Sequence, residues 1–179
     1  MEIAIRNTLT DEEEKKEIFE ILNKCNEDFC PPLSQRKDTS QKNLSPGSEN
    51  KDGVMKYYSA LLKQHTAIGK VNGRVVSFLS YKTEYTCIEL ESYGEVYYLT
   101  TLCILPEFRG MGYSEELYKT VMNNIFSEDR NAVVSLRTWS TNRAQMHLMK
   151  KLGFSCAKVL KDNRGKGIDT MYFVKRFEK

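Results

Sequence analysis

The chain has 179 residues, 40% of them hydrophobic and 28% charged, and a net charge of +3. A chain of this length buries roughly 70% of its unfolded surface, so it needs neither metal nor disulfide to hold a core. The composition excludes a collagen, a coiled coil and a wholly disordered chain, and the small, unclustered basic excess argues against nucleic acid as the partner. In chain order, Ile3–Arg6 alternates as a short strand. Thr10-Asp11-Glu12-Glu13 has the form of a capping box, and Ile18, Phe19, Ile21 and Leu22 follow at helical spacing, which predicts a helix from Asp11 to Lys24. Pro31-Pro32 closes that region. Residues 34–53 are polar, with Pro46-Gly47 in the middle, and read as a flexible surface loop or as a lip over a substrate site. Val54 to Gln64 reads as a second amphipathic helix.

Thr66–Val71, Asn72-Gly73 and Arg74–Tyr81 form a hairpin signature. Val96 to Leu105 has apolar residues along its whole length, as a central strand covered on both faces would. Leu117, Val121 and Ile125 mark a helix, and Val133–Thr138 a strand. Asn142–Lys151 is a helix ended by Gly153, followed by strands Phe154–Leu160 and Thr170–Phe177. No apolar run approaches the roughly 18 residues of a membrane span. Met1–Arg6 lacks the features of a secretory signal, which predicts a cytoplasmic protein without a membrane partner. The five scattered cysteines read as reduced thiols. Neither His65 nor His147 lies near the pair Cys25 and Cys30, so no metal is expected.

The richest segment runs from Leu102 to Leu117: a buried strand ends at Pro106, a turn carries Gly110 and Gly112, and a helix starts at once. Backbone N–H groups at such a helix start have no partner in the helix, and with the dipole behind them they make an anion site. Arg109 adds a positive charge at the rim. Glu115 stands where a dinucleotide fingerprint needs its last glycine, and there is no Gly-Lys-Ser/Thr of a Walker A loop.

This segment resembles the acetyl-CoA signature of the GNAT superfamily of N-acetyltransferases, R/Q-x-x-G-x-G/A after a strand reading L-x-V-x-P. Leu102, Ile104, Pro106, Arg109 and Gly112 match, and Ser114 takes the last small position. A second family pattern, N-x-x-A-x-x-L-Y-x-x-L-G-F, meets Asn142, Leu148, Leu152, Gly153 and Phe154. The resemblance implies a mixed α/β domain over residues 1–179, with a central sheet of about seven strands, helices on both faces and splayed central strands. It implies acetyl-CoA as cosubstrate. The pantetheine arm would run along Leu102, Cys103 and Ile104, and the pyrophosphate would sit on the N–H groups of Gly110, Met111, Gly112, Tyr113 and Ser114. Asn142 would bond the arm, or serve only as a helix cap beside Thr141. The implied reaction is direct attack by a primary amine of a small molecule or peptide in a ternary complex. An alternative is a catalytically silent acyl-CoA-binding module, and a small RNA-associated protein is a more distant one. A homodimer stays open.

Acetyl transfer needs a neutral amine, and a Lys-like pKa of about 10.4 leaves only about one in a few thousand neutral at pH 7. The tyrosine proposed as proton donor in many members is replaced here by Met149. Counting back from Arg109 makes Tyr98 the candidate base, with Glu95 near the strand's start; packing for Tyr98, solvation for Glu95 and a water chain are the competing readings. Cys103 is a nucleophile or inert packing, and His147 is read as exposed. Tyr81, Tyr85, Tyr93 and Tyr97 line a pocket or belong to the core, and Arg36 and Lys37 are candidate contacts to an acidic acceptor. Arg164-Gly165-Lys166-Gly167 repeats the glycine-turn letters ahead of a strand, so it reads as a basic turn whose cations can meet a phosphate or an acidic substrate.

Overall fold

Each apolar stretch finds its element in the computed structural model, which describes residues 1–44 and 52–177. The order is β1 (Glu2–Arg6), α1 (Glu12–Lys24), α2 (Met55–Leu61), β2 (His65–Val71), β3 (Arg74–Tyr85), β4 (Val96–Ile104), α3 (Tyr113–Glu128), β5 (Val133–Trp139), α4 (Arg143–Lys151), β6 (Ser155–Leu160) and β7 (Thr170–Arg176). The strands form one seven-stranded sheet in the order β1-β2-β3-β4-β5-β7-β6. Every neighbouring pair is antiparallel except β4 and β5. Asn72 and Gly73 both have positive φ, 51° and 80°, the backbone of a two-residue hairpin turn whose twist suits the strands.

Alternation along the strands sends side chains to two cores. On one face Ile18, Ile21 and Leu22 of α1 and Tyr57 and Leu61 of α2 pack with Ile68, Val76 and Phe78. On the other, Leu117, Val121 and Ile125 of α3 and Met149 of α4 pack with Leu79, Leu99 and Leu136. Thus the expected α/β sheet with helices on both faces is observed. At the head of α1 the cap is Asp11 rather than Thr10: its carboxylate accepts from the Glu14 N–H at 2.8 Å. A charged acceptor beside the helix N-terminus is favoured by the dipole.

The expected loop at 34–53 differs in its first half. Arg36, Thr39 and Leu44 are buried, so 34–44 is a packed part of the fold and not a solvated surface loop. Residues 45–51, including Pro46-Gly47, lie outside the described residues. Among the described residues no helix is long and apolar enough to cross a membrane.

Candidate functional site

The parallel pairing of β4 with β5 is short: Tyr97, Tyr98 and Leu99 lie opposite Val134, Ser135 and Leu136, and the ladder then stops. A cause is visible on the other side of β4. Ser80 pairs with Thr101 but Tyr81 pairs with Leu99, so Thr100 is an extra residue, a β-bulge. A bulge bends its strand and increases the local twist. It is held by polar partners: the Thr100 hydroxyl donates to Gln64 Oε1 (2.6 Å), and the Thr101 and Tyr57 hydroxyls share a bond of 2.7 Å. Beyond it β4 and β5 diverge around a cleft of about 290 Å³, lined by Leu99–Ile104, Arg109, Leu136–Trp139 and residues of α3 and α4.

Backbone groups along this edge are available. Leu105 N–H donates to Val76 O on β3. In an antiparallel ladder alternate residues face alternate neighbours, so Leu102 and Ile104 turn their edges to the cleft. The Ile104 carbonyl there accepts from Arg109 Nε at 3.1 Å. Arg109 is therefore no free rim cation. It folds back over the end of β4 and pairs with Asp28 at 2.6 Å, which, against the cost of partial burial, holds its pKa above the ordinary value.

One residue after Arg109 the glycine turn begins. Gly110 and Gly112 have φ of 77° and 81°, the left-handed region, and a Cβ at either would meet no atom within 4 Å. The space around them is open, and glycine keeps it so. Gly112 caps α3 without any side-chain bond. Among the described residues no protein acceptor takes the N–H of Gly110, Met111, Gly112, Tyr113 or Ser114. These amides lie at the positive end of a 16-residue helix, a setting whose dipole favours negative charge. Glu115 beside them is paired with Lys119 and Lys151, whose hydrogen bonds hold its carboxyl at about 2.

Leu102, Cys103, Ile104, Arg109 and Asn142 all line the cleft. Asn142 also caps α4, Oδ1 accepting from Gln145 N–H at 3.2 Å, so only its Nδ2 remains to donate. Tyr98 is a correction. It points to the opposite face from Leu99, stacks on Tyr85 at 4.3 Å, is 1% exposed and does not line the cleft. Burial drives its phenol well above 10, so it is no base at neutral pH. Glu95 is exposed at the start of β4, and none of Tyr81, Tyr85, Tyr93 and Tyr97 lines the cleft. The Cys103 thiol is buried and pushed up by that burial and by Cys25, which leaves it inert. Met149, at the position of the family tyrosine, is fully buried in the core. His147 is exposed.

Sequence reading missed Tyr118, Gln145 and Thr138, which line the same cleft. Gln145 Nε2 donates to the Tyr118 hydroxyl at 2.6 Å, which leaves that hydroxyl's own hydrogen free to point elsewhere. Among the described residues the buried Thr138 hydroxyl has no hydrogen-bond partner. Nothing local marks these residues, because each gains its meaning only from the neighbouring element.

Solved structures share this architecture. An N-acetyltransferase from Staphylococcus aureus Mu50 superposes with a TM-score of 0.70 at 13% identity, covering 99% of this chain and 100% of that one. A ribosomal-protein-alanine N-acetyltransferase from Brucella melitensis gives 0.67 at 16%, covering 97% and 99%. The protein yncA from Salmonella typhimurium, solved with its cofactor acetyl-CoA, gives 0.65 at 17%, covering 100% and 96%. At such identities the likeness is one of fold. No curated protein matches by sequence. The model of the Acetyltransferase (GNAT) family, however, matches residues 16–154, which include the bulged strand, the glycine turn and α4. On that match and this fold, the chain belongs to the GNAT family of acetyltransferases.

Proposed function

We propose that the protein transfers an acetyl group from acetyl-CoA to the neutral amine of an acceptor, by direct attack with both substrates bound. The observation that carries this reading is the set of unbonded amides from Gly110 to Ser114 at the head of α3, beside the open seam of β4 and β5. They fit a pyrophosphate in charge, and Gly110 and Gly112 leave the approach to them open. The edge at Leu102 and Ile104 and the Nδ2 of Asn142 fit the amides of a pantetheine arm.

Bound acetyl-CoA supplies a carbonyl carbon activated as a thioester. The acceptor nitrogen forms the new N–C bond as the C–S bond breaks; that bond's electron pair leaves with sulfur, one proton leaves nitrogen, and one reaches sulfur. The backbone at the Thr100 bulge, freed from β5, is suited to donate to the oxygen that gains charge. Tyr118 takes the donor's place that Met149 cannot fill. Burial raises its pKa, so it keeps its proton at neutral pH, and its hydrogen is not spent on Gln145. Water in the cleft, rather than Tyr98, is left to collect the amine's proton.

Calorimetric titration with acetyl-CoA, followed by a thiol-release screen over polyamines, amino sugars, amino acids, aminoglycosides and peptides, tests this. Saturable binding with release in at least one amine class is expected; no binding at high micromolar acetyl-CoA overturns it. The buried Met149 favours one second reading, a silent acyl-CoA-binding module, which saturable binding with no release across the panel would establish.

A further inference from the structure

Three arginines from distant parts of the chain meet behind the apex of the seam. Arg36 follows a single 3-10 turn (Leu33–Gln35), Arg137 is on β5, and Arg164 belongs to the turn between β6 and β7. Arg36 is 6% exposed and Arg164 2%. Among the described residues no carboxylate pairs with any of them. Their partners are neutral. Arg36 donates to Pro31 O through Nε (3.0 Å) and Nη2 (2.8 Å). Arg137 donates to Gln41 O (2.6 Å) and the Tyr172 hydroxyl (3.5 Å). Arg164 donates to Thr170 Oγ1 (3.0 Å) and to Cys30 O.

Buried arginine is normally paired, because an uncompensated charge in a medium of low dielectric is costly. Here Arg36 and Arg164 feel other arginines, while Arg137, against the cost of its burial, is held above its ordinary value by Tyr98, Tyr172 and Tyr85. Burial first, then Arg36 and Arg137, pulls the Arg164 pKa down to about 9, and Arg36 is likewise lowered by burial and by Arg137. A second observation lies in the same place. Among the described residues the Tyr98 hydroxyl, sealed from solvent, has no hydrogen-bond partner, and it lies near all three guanidinium groups. The protein thus collects positive charge and an idle hydroxyl where, among the described residues, no carboxylate is paired with the arginines. Charge-assisted bonds from arginine forks suit the oxygens of a carboxylate or phosphate.

The cluster meets the reaction cleft through Arg137, while Arg36 and Arg164 lie behind its lining. Arg137 follows Leu136, the last residue of β5 paired with β4, and it lines the cleft at that apex. Phe29 and Trp139 line it as well, with rings 6.1 Å apart; Arg36 lies over the first at 5.3 Å and Arg164 over the second at 5.4 Å. The unbonded amides of Gly110–Ser114 are at the other, open end of the seam, so the cluster is not a second grip on the same diphosphate.

We infer that Arg36, Arg137 and Arg164 hold an oxyanion of the acceptor, which is a small amine carrying a carboxylate or a phosphate near its nitrogen. The enclosure of Arg36 and Arg164 favours a small molecule over a protein surface. This inference rests on the acetyltransferase reading for the amine, but not for the anion.

The test has a binding arm and a turnover arm. Glutarate, malonate, phosphate and sulfate are titrated into the protein, with and without saturating coenzyme A, and the melting temperature is followed. At least one anion is expected to raise it by about 2–4 °C in the wild type, and by clearly less in Arg137→Gln. Should Arg137→Gln not fold, Arg137→Lys and Arg36→Lys, which keep charge but lose the fork, take its place. In turnover, β-alanine is compared with β-alaninamide, and phosphoethanolamine with ethanolamine. The acidic member of one pair is expected to lead in kcat/KM by at least about 30-fold, roughly 2 kcal/mol, and the pair that shows this separates carboxylate from phosphate. If no anion stabilises the wild type more than the variants, the inference is overturned even where coenzyme A binds. If coenzyme A does not bind but the anion shift depends on Arg137, the acetyl-CoA reading falls and the oxyanion site stands.

Discussion

Gly112 caps α3 in the left-handed region with empty space around it. A Cβ there meets no atom, so Gly112→Ala carries only the backbone strain, about 1–2 kcal/mol, together with a methyl group in the path of an approaching phosphate. A modest fall in melting temperature is expected, with acetyl-CoA affinity weakened by about tenfold or more in a calorimetric titration. Tyr118 and Met149 make a contrasting pair. Tyr118→Phe removes the hydroxyl that faces the cleft and should lower kcat by about 10²-fold with little change in the KM of acetyl-CoA. Met149→Tyr puts the family's usual side chain back, but into a fully buried site. Overpacking there is expected to cost about 1–3 kcal/mol in urea unfolding and to leave kcat no higher.

Strand β4 owes its role to one irregularity. With unbroken alternation Tyr98 would share a face with Leu102, and counting back from Arg109 assumes this. The extra residue at Thr100 reverses every side chain before it, so Tyr98 falls on the far face, next to Tyr85 and the arginines. The bulge depends on Gln64 of the segment between α2 and β2. Thr100→Val leaves Gln64 Oε1 short of a buried donor, which is expected to cost about 1–3 kcal/mol. If the bulge also forms the oxygen-binding edge, kcat drops more than acetyl-CoA affinity does, and kinetics of this variant read the difference.

Charge also joins the first helix to the sheet. Glu14 of α1 is buried and bonds both Arg6 of β1 and Lys70 of β2, each at 2.9 Å. Burial alone would raise its pKa, but the hydrogen bonds from Arg6 and Lys70 outweigh it, and the net shift is below the ordinary 4.5. A folded-state pKa that is depressed stabilises the charged form. Its contribution is therefore whole above pH 4.5, fades as pH falls below that, and is gone once pH passes the lowered folded value. Glu14→Gln should flatten this acid limb of the stability curve, measured by urea midpoints from pH 3 to pH 7, while lowering stability at neutral pH.

Order and type of the elements, and the glycine turn with its unbonded amides, were legible in the chain because their signals are local. Helical spacing of Leu117, Val121 and Ile125, the pair Asn72-Gly73 and the glycines ahead of α3 act over a few residues, and backbone dihedral preferences decide them whatever surrounds them. Arg36 and Arg164 read in the chain only as separate surface cations, one in a polar loop and one in a basic turn, each open to an acidic ligand, and Arg137 read as a strand residue; nothing local said that the three would meet. Their meeting is set by the pairing of β7 between β5 and β6 and by the packing of residues 30–44 against that edge. Side chains from three separate segments of the chain become one charged cluster only after the sheet has closed, since dielectric, burial and mutual repulsion are properties of the assembled interior and not of any stretch of chain.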